Sequence, residues 1–315
     1  MKKNNKIQSI FILMLGLLMF NFTACNDEDD FTESIFIDEE ELNPSAETYA
    51  FDKWLLENYL EPYNLQFRYK MQDVGSDLDY NLVPTSLTKS QDMAVLVKYL
   101  WFDAYNAVAG EEFLKKNGPR IIHLIGSPAY NPVLQTMVLG TAEGGIKVTL
   151  YRCNNLNPKN VDEMNEYYFK TMHHEFAHIL HQQKTFPKEF ETYSAGYYDP
   201  SGWQFRTPSQ AASLGFVSNY GSSQPREDFV EVIANYIVKT DAQWNHILDL
   251  ASKPGVDESG QIIDDPLDGK AIIETKLEIC KTWLQDAWNI NLDSLKAEVQ
   301  ERQKHIDEVL SQPHW

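Results

Sequence analysis

The residues with the clearest chemical potential lie in one short stretch, residues 171–183, which reads TMHHEFAHILHQQ. This stretch holds four of the eight histidines of the chain, together with one glutamate. Because residues four apart lie on the same face of an α-helix, His174 and His178 can direct their imidazole rings at a common metal ion. Glu175 completes an HExxH arrangement, in which the glutamate reaches towards a water on zinc rather than to the ion itself.

This spacing predicts zinc-dependent hydrolysis. Zinc lowers the pKa of a bound water to around 7 and polarises the carbonyl group that the water attacks. Glu175 would then act as the general base, taking a proton from the water and passing it to the leaving group. The structural alternative is an amphipathic helix that carries histidines by chance. The motif lies inside a strongly helical stretch that follows a predicted strand, which favours the metal site.

The two other histidines of this stretch do not fit the pair of ligands. His181 lies seven residues after His174, ~10 Å farther along the helix axis, whereas ligands of one zinc ion lie a few ångströms apart. His173 points to a neighbouring face, so we expect both residues to pack within the fold or to support the ligands. The metzincin pattern HExxHxxGxxH is absent, because His181 and Lys184 occupy its glycine and its last histidine positions.

A catalytic zinc ion usually takes three protein ligands, so the third must come from elsewhere in the chain. Residues 219–237, NYGSSQPREDFVEVIANYI, place Glu227 and Glu231 four apart on a second predicted helix. One carboxylate can bind zinc while the other orients a ligand histidine, and Asp228 and Glu231 are rival candidates for the ligand. Tyr220 can donate a hydrogen bond to the oxyanion that forms during attack on the carbonyl. The structural alternative is a solvated acidic helix face.

The start of the chain has the features of a bacterial export signal. Three lysines precede an apolar run over residues 10–22, and small residues follow before Cys25. The run is too short for a comfortable membrane span and predicts a signal peptide over residues 1–24. The ending Phe-Thr-Ala-Cys resembles a bacterial lipobox, which implies that Cys25 becomes a lipid-modified N-terminus. An ordinary signal peptide followed by a free cysteine is the alternative.

Residues 25–48 are acidic and poor in core-forming residues, which predicts a solvated tether between a membrane and a folded domain. Without residues 1–24 the chain has a net charge of −22, from 24 basic and 46 acidic residues. Such a chain repels nucleic acid and anionic lipid, so we expect no nucleic-acid binding and membrane contact through the lipid anchor only. The acidic run also resembles a surface-export signal of Gram-negative lipoproteins. It implies an outer-membrane lipoprotein exposed at the cell surface.

The remaining sequence predicts the elements that must position these side chains. Helical spacing marks residues 50–64, 89–117, 161–183, 226–239 and 270–310, whereas residues 120–127, 136–142 and 145–153 predict three neighbouring strands. Only two cysteines remain besides Cys25, so the fold must rest on its hydrophobic core. We therefore expect one α+β domain over residues 49–315.

The segment from HEFAH to YGSSQPREDFVE resembles the zinc site of the gluzincin metallopeptidases, in particular the lethal-factor type of toxin protease. The resemblance covers residues 171–237 and implies a role for six of them. It assigns zinc ligation to His174, His178 and Glu227, general-base catalysis to Glu175, transition-state stabilisation to Tyr220, and support of a ligand histidine to Glu231. It also implies a two-lobed, zincin-like (gluzincin) fold. The first lobe would be residues 49–158 with a small mixed sheet, the second would be the helical residues 159–315, and the metal would lie between them.

A second resemblance extends over most of the mature chain. The stretches FDKWLLENYLEPYN, NLVP, IGSPAYN and LGTAEGG are similar to those of the substrate import-associated zinc metallohydrolase lipoproteins, also described as putative zinc-binding metallopeptidases. These lipoproteins accompany outer-membrane nutrient importers, which implies an importer complex as a partner. In gluzincins the strand before the active helix lies along the cleft, so the resemblance also implies that residues 145–153 offer a free edge to an extended peptide.

These features favour a surface-anchored zinc metallohydrolase with one zinc ion per chain, acting as a peptidase on peptides or glycoproteins. Two alternatives stay open. One is a non-catalytic binding lipoprotein of a nutrient-import complex, in which a structural zinc joins two helices; a glutamate in the position of Glu175 argues against it. The other is a hydrolase of non-peptide amides or esters, because HExxH chemistry attacks any suitably placed carbonyl group.

Overall fold

The structure is a computed structural model, and it describes residues 42–71, 81–131, 136–138, 140–143, 146–257, 259–262 and 267–315. The described residues from Ala50 to Trp315 belong to one compact unit, which carries all the candidate metal and catalytic residues. Cys25, the predicted signal peptide and most of the predicted tether lie outside the described residues. Within the described ranges, no helix is both long enough and apolar enough to cross a membrane.

Helices make up most of the described chain, as the long stretches with helical spacing predict. The α-helices are α1 (Tyr49–Leu55), α2 (Glu61–Tyr63), α3 (Leu87–Val97), α4 (Asp103–Ala109), α5 (Glu111–Asn117), α6 (Val161–Met164), α7 (Lys170–Gln183), α8 (Pro208–Ser213), α9 (Pro225–Val238), α10 (Asp241–Ala251), α11 (Gly269–Trp288), α12 (Leu292–Gln303) and α13 (Ile306–Ser311). Turns of π-helix at Leu56–Leu60, Lys98–Phe102 and Asn165–Phe169 join α1 to α2, α3 to α4 and α6 to α7.

The helix that carries the HExxH motif begins near its predicted start. Asn160 caps the first turn, where its side chain accepts a hydrogen bond from the backbone N–H of Glu163. The helical segment then runs without a break to Gln183. By contrast, the helix predicted over residues 89–117 is interrupted at Gly110, whose φ of 84° is a left-handed conformation that favours glycine. The chain therefore changes direction there, between α4 and α5.

The strands form two small sheets in the described part of the chain. They are β1 (Gln66–Arg68), β2 (Ile121–Leu124), β3 (Ala129–Asn131), β4 (Thr136–Val138), β5 (Gly140–Glu143) and β6 (Lys147–Leu150). The main sheet has the order β1-β2-β6-β5, with β1, β2 and β6 parallel and β5 antiparallel to β6. Strands β3 and β4 pair as a separate antiparallel ribbon. The single strand predicted over residues 136–142 is thus two strands that belong to different sheets.

The strand order corrects the expectation that residues 145–153 offer a free edge. Strand β6 lies inside this range and is paired on both sides, in parallel with β2 and antiparallel with β5. Among the described strands, β5 is therefore the outer strand on this side of the sheet, and both β5 and β6 lie against α7. Any extended chain that adds to this side of the sheet must pair with β5.

Aromatic packing attaches the motif helix to the first half of the fold. Phe176 of α7 is fully buried and meets the ring of Trp101 edge to face, with centroids 5.0 Å apart. Tyr105 and Phe113 contact the same Phe176 ring at 5.1 and 5.9 Å. Such aromatic pairs combine large apolar burial with a preferred geometry. They fix the position of α7 on the side opposite to the candidate ligands.

A buried ion pair attaches α9 to α11. The side chains of Lys276 and Asp228 have no exposed surface, and Lys276 Nζ donates to Asp228 Oδ2 over 2.6 Å. The same amine donates to Ser194 Oγ at 2.8 Å and to the carbonyl oxygen of Gly215 at 2.9 Å. Tyr198 donates its hydroxyl hydrogen to the same carboxylate oxygen at 2.9 Å. This network holds α9 in place at the residue that follows Glu227.

We expect Lys276→Met to lower the free energy of unfolding by about 3–5 kcal/mol, because the change leaves the Asp228 carboxylate buried without its counter-charge. Lys270→Met on the same helix is the matched control. Lys270 is exposed and lies 4.0 Å from Glu274, so its loss should cost less than about 1 kcal/mol. Urea denaturation followed by circular dichroism measures both changes. Equal losses in the two variants would contradict a stabilising role for the buried pair.

Candidate metal centre

Two helices position the candidate ligands. Helix α7 carries His174 and His178 one turn apart on the same face, and α9 carries Glu227 in its first turn. Pro225 begins α9, and proline suits the first position of a helix. The Glu227 carboxylate therefore lies near the N-terminus of α9, where the helix dipole favours negative charge. Because α7 and α9 pack against each other, residues about fifty positions apart in sequence meet at one place.

The three candidate ligand atoms converge on one point. His174 Nε2 lies 3.1 Å from Glu227 Oε2, and His178 Nε2 lies 3.2 Å from the same oxygen. The two Nε2 atoms are 3.2 Å apart. Ligand atoms that each lie 2.0–2.1 Å from a tetrahedral zinc ion are roughly 3.3 Å from one another. Among the described residues, His174, His178 and Glu227 are the group whose ligand atoms lie close enough together to hold a metal ion.

Each candidate histidine ligand uses its other ring nitrogen for a second partner. His174 Nδ1 lies 2.8 Å from Glu231 Oε1, and His178 Nδ1 lies 2.8 Å from His181 Nε2. The second oxygen of Glu231 accepts hydrogen bonds from Ser218 Oγ at 2.5 Å and from the side-chain amide of Asn235 at 3.1 Å. Partners of this kind fix the orientation of a metal-binding imidazole. The structure therefore places Glu231 where it supports His174.

The charges of the site favour a cation. Burial by itself lowers the pKa of His174, but hydrogen bonds to Glu227 and Glu231 raise it to about 10. Burial opposes ionisation of Glu227, yet the contacts with His174 and His178 hold the pKa of this carboxyl well below its usual range. For Glu231, burial is again overcome, mainly by the hydrogen bond with His174, and the pKa is about 2. Two ionised carboxylates thus lie beside the imidazoles.

Glu175 and Tyr220 lie next to these residues. Glu175 follows His174 directly on α7 and is half-buried. Tyr220 begins the 3₁₀ turn Tyr220–Ser223 just before α9, and its ring centroid is 5.8 Å from that of His174. Burial, with the nearby Glu227 as the next cause, raises the pKa of Tyr220 far above its usual range, so the phenol keeps its proton. The side chain is 37 % exposed and can therefore meet a ligand.

The rivals for the third ligand position have other partners. Asp228 belongs to the ion pair with Lys276, and Glu231 contacts the Nδ1 atom of His174 rather than the three converging atoms. His173 lies in the core, where its Nδ1 atom is 3.1 Å from the hydroxyl oxygen of Tyr105, and burial lowers its pKa to about 3. Of the acidic candidates on α9, Glu227 is therefore the residue that the structure brings to the two histidines.

Several supporting residues were missed by sequence reasoning. Gln224 donates from its side-chain amide to Glu227 Oε1 at 3.2 Å, and Ser218 and Asn235 support Glu231. Asn235 lies one turn after Glu231 on the same helix, a spacing that could have indicated the contact. Trp203 packs edge to face on Tyr220 with centroids 4.9 Å apart. That contact links two short 3₁₀ turns, Trp203–Phe205 and Tyr220–Ser223, and no sequence period marks it.

Two comparisons with known proteins find similarity to putative zinc-binding metallo-peptidases. A family model described as "Putative zinc-binding metallo-peptidase" matches residues 44–293. Among solved structures, the chain is similar to the crystal structure of a putative zinc-binding metallo-peptidase from Bacteroides caccae ATCC 43185. The two share 44 % sequence identity with a TM-score of 0.70, and the match covers 87 % of this chain and 97 % of that chain. Comparison with the curated proteins finds no match.

We expect zinc binding to release a proton. Because the pKa of His174 is about 10 in the metal-free protein, this imidazole is protonated at neutral pH, and zinc must displace that proton. The apparent zinc affinity should therefore rise by close to tenfold per unit between about pH 6 and pH 9 and fall as the pH is lowered. Calorimetric titration in buffers of different ionisation enthalpy counts the protons released.

The matched variant for this titration is Glu231→Gln. It removes one of the negative charges that raise the pKa of His174, so it should release fewer protons at the same pH. A zinc affinity that is independent of pH over this range would contradict the prediction.

Proposed function

Because the chain belongs to the family of putative zinc-binding metallo-peptidases, we propose that it is a zinc-dependent hydrolase that cleaves peptide bonds in extracellular peptides or glycoproteins. The observation that carries this proposal is the convergence of two imidazole nitrogens and one carboxylate oxygen, from His174, His178 and Glu227, within 3.2 Å of one another. Glu175, the residue after His174 on α7, and Tyr220, whose ring centroid lies 5.8 Å from that of His174, would supply the general base and the hydrogen-bond donor.

His174, His178 and Glu227 would hold one zinc ion per chain. Two neutral imidazoles and one carboxylate form a donor set that zinc accepts readily. When bound, zinc supplies Lewis-acid chemistry, which polarises a carbonyl group and makes water more acidic. Three protein ligands are typical of catalytic zinc sites, whereas structural sites are closed by four. The three ligands that the described residues supply therefore favour a catalytic site over a structural zinc site.

Side chains of this protein would move the proton and stabilise the developing charge. Glu175 would take a proton from the attacking water and deliver it to the leaving nitrogen as the peptide bond breaks. Tyr220, which keeps its proton at neutral pH, would donate a hydrogen bond to the carbonyl oxygen as that oxygen becomes negative. Trp203 would hold the Tyr220 ring in place by edge-to-face packing.

The outer strand β5 supports a peptide as the substrate. It lies against α7, the helix that carries the catalytic motif. An extended peptide that pairs with an outer strand is held by its backbone N–H and C=O groups, whatever its side chains are. Simple esters lack this repeating pattern of donors and acceptors. We therefore favour peptide bonds over other amides or esters as the substrate.

For the fold, we propose a two-lobed gluzincin arrangement, with residues 49–158 as the first lobe and residues 159–315 as the second.

We also propose that the chain is an outer-membrane lipoprotein anchored at Cys25 and exposed at the cell surface, beside a nutrient importer. The basic start, the short apolar run and the cysteine that follows it support the anchor. The acidic composition disfavours direct contact of the protein with anionic membrane lipids. The lipid anchor at Cys25 would therefore be its one attachment to the membrane. Hydrolysis next to an importer would deliver short products to the transport channel.

The decisive variant for the proposed hydrolysis is Glu175→Gln. It removes the base but keeps a side chain of similar size, so the protein should retain about one zinc ion per chain while kcat falls by roughly 10²–10⁴-fold. Zinc content by atomic absorption and cleavage of a peptide library, measured on the same preparations, test both halves of this expectation. Unchanged turnover with a full zinc load would contradict the role of Glu175.

Tyr220→Phe serves as a graded comparison in the same assay. It removes only the hydroxyl group, so zinc binding and KM should change little while kcat falls by roughly 10²–10³-fold. If the wild-type protein carries zinc and cleaves no peptide, the result favours a non-catalytic binding lipoprotein, and cleavage of esters alone favours the broader hydrolase.

For the anchor, we expect Cys25→Ala to move the protein from the outer-membrane fraction to the soluble fraction, because the lipid has no attachment point. Protease added to intact cells should digest the wild-type protein if it faces the medium. Cys153→Ala is the matched control, since this buried free cysteine should have no part in location. Membrane retention of the Cys25 variant would refute the anchor.

A further inference from the structure

We propose that His181 is a positioning residue of the metal centre, which orients the ligand His178 by accepting a hydrogen bond from its Nδ1–H group. The inference rests on the proposed zinc site and is independent of the substrate. It extends the HExxH motif, residues 174–178, by one helical turn to His181. It also gives a role to the fourth histidine of the stretch, which the HExxH pattern leaves unassigned.

The ring of His178 defines the direction of this hydrogen bond. Its Nε2 atom faces His174 Nε2 and Glu227 Oε2 at 3.2 Å, so this nitrogen offers its lone pair to the metal. A neutral imidazole with a free lone pair on one nitrogen carries its hydrogen on the other. The Nδ1 atom of His178 is therefore the donor, and its partner at 2.8 Å, His181 Nε2, is the acceptor.

The His181 ring is held in place by its own surroundings. The residue is 6 % exposed, and Phe186 meets its ring edge to face with centroids 5.6 Å apart. Phe229 of α9 approaches the same ring at 6.5 Å and stacks on Phe186 at 4.2 Å. Because Phe229 is buried in the core and the partly buried Phe186 packs against it, the acceptor nitrogen has a fixed position. A fixed acceptor is what an orienting role requires.

The two ligand histidines thus have partners of different charge. His174 is supported by the carboxylate of Glu231, whereas His178 is supported by an uncharged imidazole. Glu227 and Glu231 already place two buried negative charges at the site. A third carboxylate in place of His181 would add like-charge repulsion and a desolvation cost. An imidazole orients the ligand without adding charge.

Spacing alone also explains why these rings are close. Residues three apart on a helix are neighbours, so His181 could pack against His178 without influencing the metal. The two explanations differ in what the side chain at 181 must provide. A packing role needs volume, whereas the positioning role needs a hydrogen-bond acceptor.

Zinc affinity of purified full-length variants separates the two roles. His181→Leu keeps an apolar volume and removes the acceptor, so we expect its zinc dissociation constant to rise by roughly 10–100-fold. His181→Gln restores an acceptor oxygen and should stay within about threefold of wild type. His173→Leu is the matched control, because it removes a buried histidine of the same helix whose partner is Tyr105, and its zinc affinity should not change. Competition with a chromogenic chelator measures all four proteins, and circular dichroism verifies their folding.

Three results would overturn the inference while leaving the proposed zinc site intact. The first is a zinc affinity of His181→Leu that equals that of the wild type. The second and third are losses of zinc affinity in His181→Gln or in His173→Leu that are as large as the loss in His181→Leu. Should the leucine variant not fold, His181→Phe, which keeps a ring and has no acceptor nitrogen, is measured in its place. A wild-type protein that binds no zinc would instead overturn the proposed function itself, so the two failures are distinguishable.

Discussion

The contact between α7 and α9 is the constraint on which the rest of the structure depends. Three ligand atoms must lie within 3.2 Å of one another although they come from two helices that are distant in the sequence. Each helix is also fixed by contacts of residues other than the candidate ligands. Aromatic packing around Phe176 holds α7, and the pair of Lys276 with Asp228 holds α9. A small rotation of either helix would separate the carboxylate from the imidazoles, since ligand positions tolerate errors of only about half an ångström.

The part of the site that sequence could predict is the part that one helix determines. His174, Glu175 and His178 follow from the local geometry of an α-helix, and the prediction of a mostly helical α+β fold with a small sheet is confirmed. The choice among the acidic residues of α9 was left open by the residues themselves. It depends on the rotation of that helix, which is set by a lysine forty-eight residues later in the chain.

Tertiary arrangement also explains where sequence reasoning was wrong. The pattern of β-forming residues indicated strands correctly, but their order depends on which neighbours each strand finds in the folded sheet. Strand β6 pairs on both sides, and among the described strands the outer position falls to β5, most of which lies within the strand predicted over residues 136–142. Gly110 likewise divides a stretch that helical spacing alone would continue, because spacing carries no information about a left-handed backbone angle.

The ion pair between α9 and α11 has a consequence for the order of events during synthesis. Helices α7 and α9 carry all three candidate ligands, yet the counter-charge for Asp228 arrives only with Lys276. When synthesis has just passed α9, the Asp228 carboxylate still lacks its counter-charge, although the folded protein buries this group away from water. Asp228 is also the neighbour of Glu227, the candidate metal ligand. The metal site can therefore form only after the C-terminal helices have been synthesised. A chain that ends before α11 would contain the HExxH motif but would lack the ion pair that holds α9 in place.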